Sequence, residues 1–379
     1  MNSNLRIEKL ILNNFRNHNY LKLDIKKNMV LIYGKNGSGK TSVLESISLF
    51  DSSNGFKALS LNETINFNYK GPLEMFGVNL SLKSLDSLST VGLSLRKKND
   101  MLRKVISIDG KLSRKTNPKI LNVYSVFPKM TFLFQNSSED RRGFLDQMIS
   151  TTDKEHRKNL INYEKYKSER IKILKKWKNC NTEWLDAVEK KMVFYGMVIC
   201  DCRRNFVKSL NHMLLNLESS LPYFQVKLNG KLDKLLLEKP SIQVEDFFFS
   251  SLRENRTRDS IIGRTSFSAN KTDIIVYEKK SNKEAKSFST GQQKTILFLM
   301  IFAFIKHLET ISYERIIFLL DDVFSYLDDK FIYLVLEKLN ELNVQIWMTD
   351  VKGDWIFRDK RYNKIVDKIN IDDKRFKVS

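Results

Sequence analysis

Paired cysteines, clustered histidines, a signal core and an apolar run of bilayer length are all missing from this sequence. Its three cysteines, Cys180, Cys200 and Cys202, form no paired framework. That excludes a disulfide-stapled secreted domain and fits a reducing cytoplasm. One residue separates Cys200 from Cys202, not the two of a zinc-binding pair. His18, His156, His212 and His307 are scattered, so no metal cluster is visible. The stretch Met1-Asn2-Ser3-Asn4-Leu5-Arg6 has no apolar signal core. The longest apolar run, Ile296 to Ile305, is too short to span a bilayer and predicts a buried helix. No repeat or low-complexity tract appears. No segment has the pattern of a helix-turn-helix, a zinc finger or an RNA-binding sheet.

What the chain has in excess is positive charge. Its 379 residues carry a net charge of +21, with a pI near 9.6. This points to a polyanionic partner, nucleic acid before anionic membrane. Mutational bias toward Lys, Asn and Ile is the competing source of that charge.

Residues Gly34-Lys35-Asn36-Gly37-Ser38-Gly39-Lys40-Thr41 match the phosphate-loop pattern G-x-x-x-x-G-K-[ST]. Val30 to Tyr33 before them predict a strand. Val43, Leu44, Ile47 and Phe50 after them fall on one face of a helix. In that setting glycines let backbone N–H groups turn around phosphate oxygens, and the helix start adds its positive dipole end. Lys40 would reach the β- and γ-phosphates of ATP, and Thr41 would offer its hydroxyl to Mg²⁺.

A second apolar run, Ile316 to Leu320, reads as a strand buried on both faces and ends in Asp321-Asp322. Asp321 is the candidate Mg²⁺ carboxylate. Asp322 is the candidate catalytic group that orients or deprotonates the attacking water. The alternative is that both cap the next helix. Ser289-Thr290-Gly291-Gln292-Gln293 opens the apolar helix and forms another anion-seeking helix end. One nucleotide needs one phosphate loop, so Ser289, Gly291 and Gln292 are expected to complete a site on another subunit.

Leu21, Leu23 and Ile25 alternate with Lys22, Asp24 and Lys26, as in a half-buried strand. Asn66 to Asp109 is β-rich, with Asp109-Gly110 a hairpin signal. From about Asp140 to Leu221 glycine becomes scarce and charge density rises. Stripes of Ile171, Leu174 and Trp177, and of Val188, Met192 and Tyr195, predict two or three long helices. Gly230 and Pro240 punctuate a less regular stretch, and strand patterns return after about Ile261. The expected organisation is an α/β head over 1–138, a helical arm over 139–260 and the head resumed over 261–379. Lys165, Lys167, Arg170, Lys172, Lys175, Lys176 and Lys178 surround the first stripe. That face suits either DNA phosphates or ordinary solvation.

The order of phosphate loop, S-x-G-Q-Q, apolar strand with two Asp, then Ser325-Tyr326-Leu327-Asp328 resembles the ABC-type ATPases of DNA metabolism. In those, two heads sandwich two ATP molecules, each between one phosphate loop and the partner's signature loop. Leu12-Asn13-Asn14-Phe15-Arg16-Asn17 is similar to the N-F-R-N motif of the RecF family. Arg141-Arg142-Gly143-Phe144-Leu145-Asp146 is similar to its R-R-x-F-L-D. The resemblance covers essentially the whole chain. It departs in three places. Pro128 is followed by Lys129 and Met130 where the family has Glu and Asp. Ser268-Ala269-Asn270-Lys271 replaces G-P-H-R. Tyr326 replaces a Glu.

The resemblance implies an ABC-type P-loop ATPase head with a mixed sheet and an inserted helical arm. It further implies a cytoplasmic, slow DNA-stimulated ATPase acting as a switch with ATP and Mg²⁺. ATP would close a homodimer on single-stranded or gapped DNA, and hydrolysis would release it. RecR and RecO would be partners in recombinase loading, with a role in the SOS response and none at a membrane. Two alternatives stand beside it. One is the energising subunit of a membrane transporter, which has no need of a basic chain. The other is an SMC- or Rad50-like ATPase, for which the interval from Thr41 to Ser289 is too short to hold a long coiled coil.

Overall fold

The computed structural model describes residues 5–51, 60–84, 87–99, 101–113, 120–175, 182–217, 223–311, 316–324, 329–354, 356 and 360–373. Lys176, Trp177, Lys178, Cys180 and the segment 325–328 with Tyr326 lie outside them, as does the side chain of Lys129. The chain divides into two compact units, Met1–Thr131 with Glu309–Ser379, and Phe132–Leu308.

The first unit holds two sheets. Strands β1 (Arg6–Phe15), β2 (His18–Asp24), β4 (Gly77–Lys83), β5 (Leu88–Lys98), β6 (Met101–Ile108) and β7 (Lys111–Leu112) form an antiparallel sheet in the order β2-β1-β4-β5-β6-β7. Its strands alternate: Leu10 and Leu12, Leu21 and Leu23, Leu80 and Leu82, Leu93 and Leu95 are buried. Their neighbours face the other way, as period-two side chains must. Asp109 and Gly110, at φ 48° and 75°, make the β6–β7 turn, which needs positive φ at both positions.

Strands β3 (Met29–Tyr33), β8 (Asn122–Val126), β11 (Ile316–Leu320), β12 (Gln345–Asp350) and β13 (Val366–Asn370) form a parallel sheet in the order β13-β3-β12-β11-β8. Every residue of β11 and β12 is buried, which is why their sequences run apolar without alternation. The head thus has both kinds of strand pairing, separated into two sheets instead of joined in one. Gln345 ties them together. Its Oε1 accepts from Ile7 N at 2.8 Å and its Nε2 donates to Ile7 O at 3.0 Å, beside the register shift between Ile7 and Lys9.

The second unit contains long helices where two or three were expected: α3 (Ser138–Thr152), α4 (Lys154–Leu174) and α5 (Thr182–Leu215). The stretch marked by Gly230 and Pro240 is more regular than its sequence predicts. It holds β9 (Phe224–Asn229), α6 (Lys231–Glu238), α7 (Ser241–Glu254) and α8 (Arg256–Ile262). Gly230 and Pro240 are the N-cap residues of α6 and α7; they separate elements and do not break one. The compact units also depart from the boundaries at 138/139 and 260/261. Strand β10 (Asp273–Glu278) pairs antiparallel with β9 over its whole length, so residues 261–308 group with the arm. Helix α9 (Thr290–Ile311) follows, and Ile296 to Ile305 are all buried in it.

Arg170 is not on the basic surface of α4. It is fully buried and bonds Glu189 at 2.8 Å and Asp259 at 2.7 Å. It also donates to Leu252 O at 2.8 Å. A buried guanidinium demands that many acceptors. Lys172 and Lys175 remain exposed. Among the described residues no helix is long and apolar enough to cross a membrane.

Candidate nucleotide-binding site

The phosphate loop joins β3 to α1 (Lys40–Ser48), and the short α2 (Leu61–Thr64) follows later in the same unit. Two features of the fold require its glycines. Gly39 sits at φ 99°, and a Cβ there would lie 2.3 Å from His18 Nε2. A Cβ on Gly34 would lie 2.9 Å from Asp372 Oδ2. The loop is gripped from outside by the β1–β2 turn. Asn17 Nδ2 donates to Gly37 O at 3.0 Å, and His18 Nε2 meets Gly39 O at 3.1 Å. Ser42 Oγ donates to Asn17 Oδ1 at 2.9 Å. Arg16 holds Glu45 of α1 through Nε at 2.9 Å. On the far side Lys35 N donates to Asp372 Oδ2 at 2.8 Å. The N-F-R-N segment therefore serves to shape the loop.

Inside this frame Lys40 is 8% exposed. Its Nζ donates to Gly34 O at 2.8 Å and to Lys35 O at 2.9 Å. Asp321, 3% exposed, receives two hydroxyls on Oδ1: Thr41 Oγ1 at 2.9 Å and Thr349 Oγ1 at 2.9 Å. Thr349 Oγ1 also accepts from Asp322 N at 2.8 Å, which helps hold Asp322 at φ 50°. For a non-glycine residue that conformation is strained, and such strain is found where side chains must be aimed.

These groups line a cavity of about 250 Å³, with Asn36, Gly37, Lys40, Thr41, Asp321 and Asp322 on its wall. Helix α1 has no side-chain N-cap, so its first N–H groups lack an intrahelical acceptor. The buried Ser38 Oγ has no hydrogen-bond partner among the described residues. A cluster of unused donors beside an ammonium fits a phosphate chain. One carboxylate and one hydroxyl fit Mg²⁺ that takes its other ligands from phosphate and water. Among the described residues no group of three or more His, Cys, Asp or Glu could hold a metal by itself. A larger groove, about 850 Å³, lies on the antiparallel sheet and shares no lining residue with the phosphate loop. The donor chemistry assigns phosphate to the smaller cavity.

Sequence reasoning brought Gly34 to Thr41 together with Asp321 and Asp322, and missed Asn17, His18, Thr349 and Asp372. A hydroxyl closing the apolar run Ile346-Trp347-Met348 was the readable signal for Thr349. Asp372 had no local signal.

Ser289, Gly291 and Gln292 belong to the other unit. Ser289 caps α9 reciprocally with Gln292: Ser289 N donates to Gln292 Oε1 at 3.1 Å, and Gln292 N donates to Ser289 Oγ at 3.4 Å. This is a capping box, and it leaves Ser289, Thr290, Gly291 and Gln292 exposed.

The R-R-x-F-L-D segment braces the second unit. Arg141 grips Asp273 through Nε at 2.8 Å and Nη2 at 2.9 Å. Arg142 donates to Thr272 O at 2.7 Å. Asp146 takes Arg203 through Nη2 at 2.7 Å and His156 at 3.0 Å. Burial pushes the Asp146 carboxyl up, but the hydrogen bonds from Arg203 and His156 outweigh it and hold it below the ordinary value. In the divergent segment Ser268 Oγ bonds Tyr163 Oη at 2.8 Å, and Arg203 Nη1 donates to Ala269 O at 2.9 Å. Lys271 is exposed.

The family model of the RecF/RecN/SMC N terminal domain matches residues 6–368. The DNA replication and repair protein RecF of Rickettsia prowazekii (strain Madrid E) is 32% identical over 356 residues, covering 93% of this chain and 96% of the relative. That of Rickettsia bellii (strain OSU 85-389) is 30% identical over 361 residues, covering 94% and 98%. A solved structure of the recombination mediator protein RecF-ATPrS in the RecFOR pathway superposes with a TM-score of 0.78 at 23% identity, covering 94% of this chain and 95% of that one. It shares the fold. With phosphate loop, paired carboxylates and full-length similarity in agreement, the chain belongs to the RecF family.

Proposed function

We propose that the chain is an ATP-dependent DNA-binding protein of replication and repair, working as a switch. The observation that carries this is the convergence of Thr41, Thr349 and Asp321 beside Lys40 at one phosphate loop. Lys40 is already at the loop and would exchange its carbonyl partners for β- and γ-phosphate oxygens. Thr41 and Asp321 would hold Mg²⁺, which when bound neutralises phosphate charge. Asp322 lines the same cavity and would position the attacking water. Ser289, Gly291 and Gln292 would complete the site of a second copy, so that ATP closes a homodimer on DNA and hydrolysis opens it. RecO and RecR are the partners expected from the RecFOR context of the similar structure, and the cytoplasm is the expected place. Family membership favours this reading over a transporter subunit. The test is a titration of gapped, single-stranded and duplex DNA with ATP, with ADP and without nucleotide. Tighter binding with ATP supports the switch, and equal binding in all three states contradicts it.

A further inference from the structure

The antiparallel sheet has a second face. The residues that alternate with its buried leucines line the groove of about 850 Å³. Asn79, Gly92 and Ser107 stand opposite one another across β4, β5 and β6. A Cβ on Gly92 would lie 2.7 Å from Ser107 Oγ and 2.9 Å from Asn79 Oδ1, so the floor must be low at this point. Tyr20 stands opposite Asn13 in the β1–β2 register and forms part of the wall, with Tyr69 and Met75 also lining the groove. Glu74 is the one charged residue in the lining. The amides of Asn13 and Asn79 and the hydroxyl of Tyr20 have no hydrogen-bond partner among the described residues. The groove therefore carries no cation and one carboxylate, that of Glu74, and otherwise offers amide edges and an aromatic face.

Charge begins where the groove ends. On the same face Ser94 is followed along β5 by Arg96 and Lys98, and Arg96 stands directly opposite Arg103 of β6. Two residues along a strand is about 7 Å. Like charges directly opposite one another are unfavourable without a counterion, and Arg96, Lys98 and Arg103 make no ion pair among the described residues. The lysines of β1 and β4 on this face are different: Lys9 meets Asp24 at 3.8 Å and Lys83 meets Glu8 at 3.4 Å. On this face, among the described residues, the cations without an ion pair are thus those of the β5–β6 hairpin, beside a groove that has no use for phosphate. Amide edges and an aromatic ring suit a base's edge and face, which are reachable when the base is unpaired.

We propose that this face binds single-stranded DNA, with an unstacked base in the groove and Arg96, Lys98 and Arg103 on the phosphates beside it. The site deepens the proposed DNA-binding function and rests on it. The test is fluorescence anisotropy with a labelled single strand and a duplex of equal length, with and without ATP, across a salt series. Tyr20→Ala with Asn79→Ala should weaken single-strand binding about tenfold or more, the loss of one stacked base. Duplex binding should change less than about twofold, because the bases are then hidden. ATP affinity should stay the same. Arg96→Gln with Arg103→Gln should lower the single-strand salt slope by about 1.4, for two lost phosphates. If the groove variant melts early, Asn79→Ala alone, at an exposed position, carries the test with a loss of about threefold.

Equal losses on single strand and duplex would overturn the site, as would an unchanged single-strand affinity. Loss of ATP affinity in the groove variant would assign the groove to the base of ATP and overturn it too. A parent protein that binds no DNA would sink the DNA-binding function itself. Binding by the parent with an indifferent groove variant sinks only this site.

Discussion

Thr349 shows what one hydroxyl does here. It donates to Asp321 Oδ1 and accepts from Asp322 N, so one side chain touches the carboxylate of Asp321 and the backbone that carries Asp322. Thr349→Val keeps the shape and removes both bonds. It takes one of two hydroxyls from a buried carboxylate oxygen and the hydroxyl acceptor from a backbone N–H, two hydrogen bonds at about 0.5–1.5 kcal/mol each. Chemical denaturation should show that loss, and ATP turnover should fall more than ATP affinity, since the phosphate loop is untouched. Turnover at the parent rate would detach Thr349 from the site. The same residue marks the limit of reading sequence. Gly34 to Thr41 were legible because their geometry is local: eight consecutive residues between a strand and a helix. Thr349 and Asp372 act across distances that only the parallel sheet closes. Arg170 was misread as surface because a basic helix face does not say which of its cations finds buried acids.

Among elements, several strands of the head were legible by period: alternation for β2 and, within the β-rich stretch from Asn66 to Asp109, for β4 and β6, and unbroken apolar runs for β3 and β11. The pairing of β9 with β10 was not, because three helices, α6, α7 and α8, intervene in sequence. That pairing moves the compact-unit boundary, and α3 is fastened to it through Arg141 and Asp273. Asp146 fastens α3 to α5 through Arg203. Its carboxyl is held below the ordinary value. The stability it contributes is therefore fully present above about pH 4, the usual unfolded value, and is lost as pH falls through the lower folded value. Asp146→Asn should cost about 3 kcal/mol at neutral pH, because Arg203 is then buried without its charge partner. The deficit relative to the parent should shrink below about pH 4. Melting curves from pH 3 to pH 7 decide this, and a deficit independent of pH would show that Asp146 acts through packing alone.

At the scale of the molecule, the net charge of +21 supplies attraction for any polyanion, while specificity has to come from sites. The signature loop is the clearest case. Its capping box organises Ser289 and Gln292 within the helix start and leaves that start exposed, the arrangement needed if a second copy is to use it. Ser289→Arg places a bulky cation there. The variant should bind ATP like the parent but form no ATP-driven dimer in sedimentation or light scattering. Normal dimers would remove the loop from any shared site.

The central claim is that the cavity at Lys40 binds ATP and that this binding governs the hold on DNA. Lys40→Ala removes the ammonium but only two hydrogen bonds to loop carbonyls, so the fold should survive. The direct measurement compares the parent with Lys40→Ala for ATP affinity, and for DNA affinity with ATP, with ADP and without nucleotide. The expected result is a parent that binds DNA more tightly with ATP, and a variant that has lost ATP binding and holds DNA equally weakly in all three conditions. A variant that binds ATP within a few-fold of the parent, or one that still tightens on DNA when ATP is added, would contradict the account.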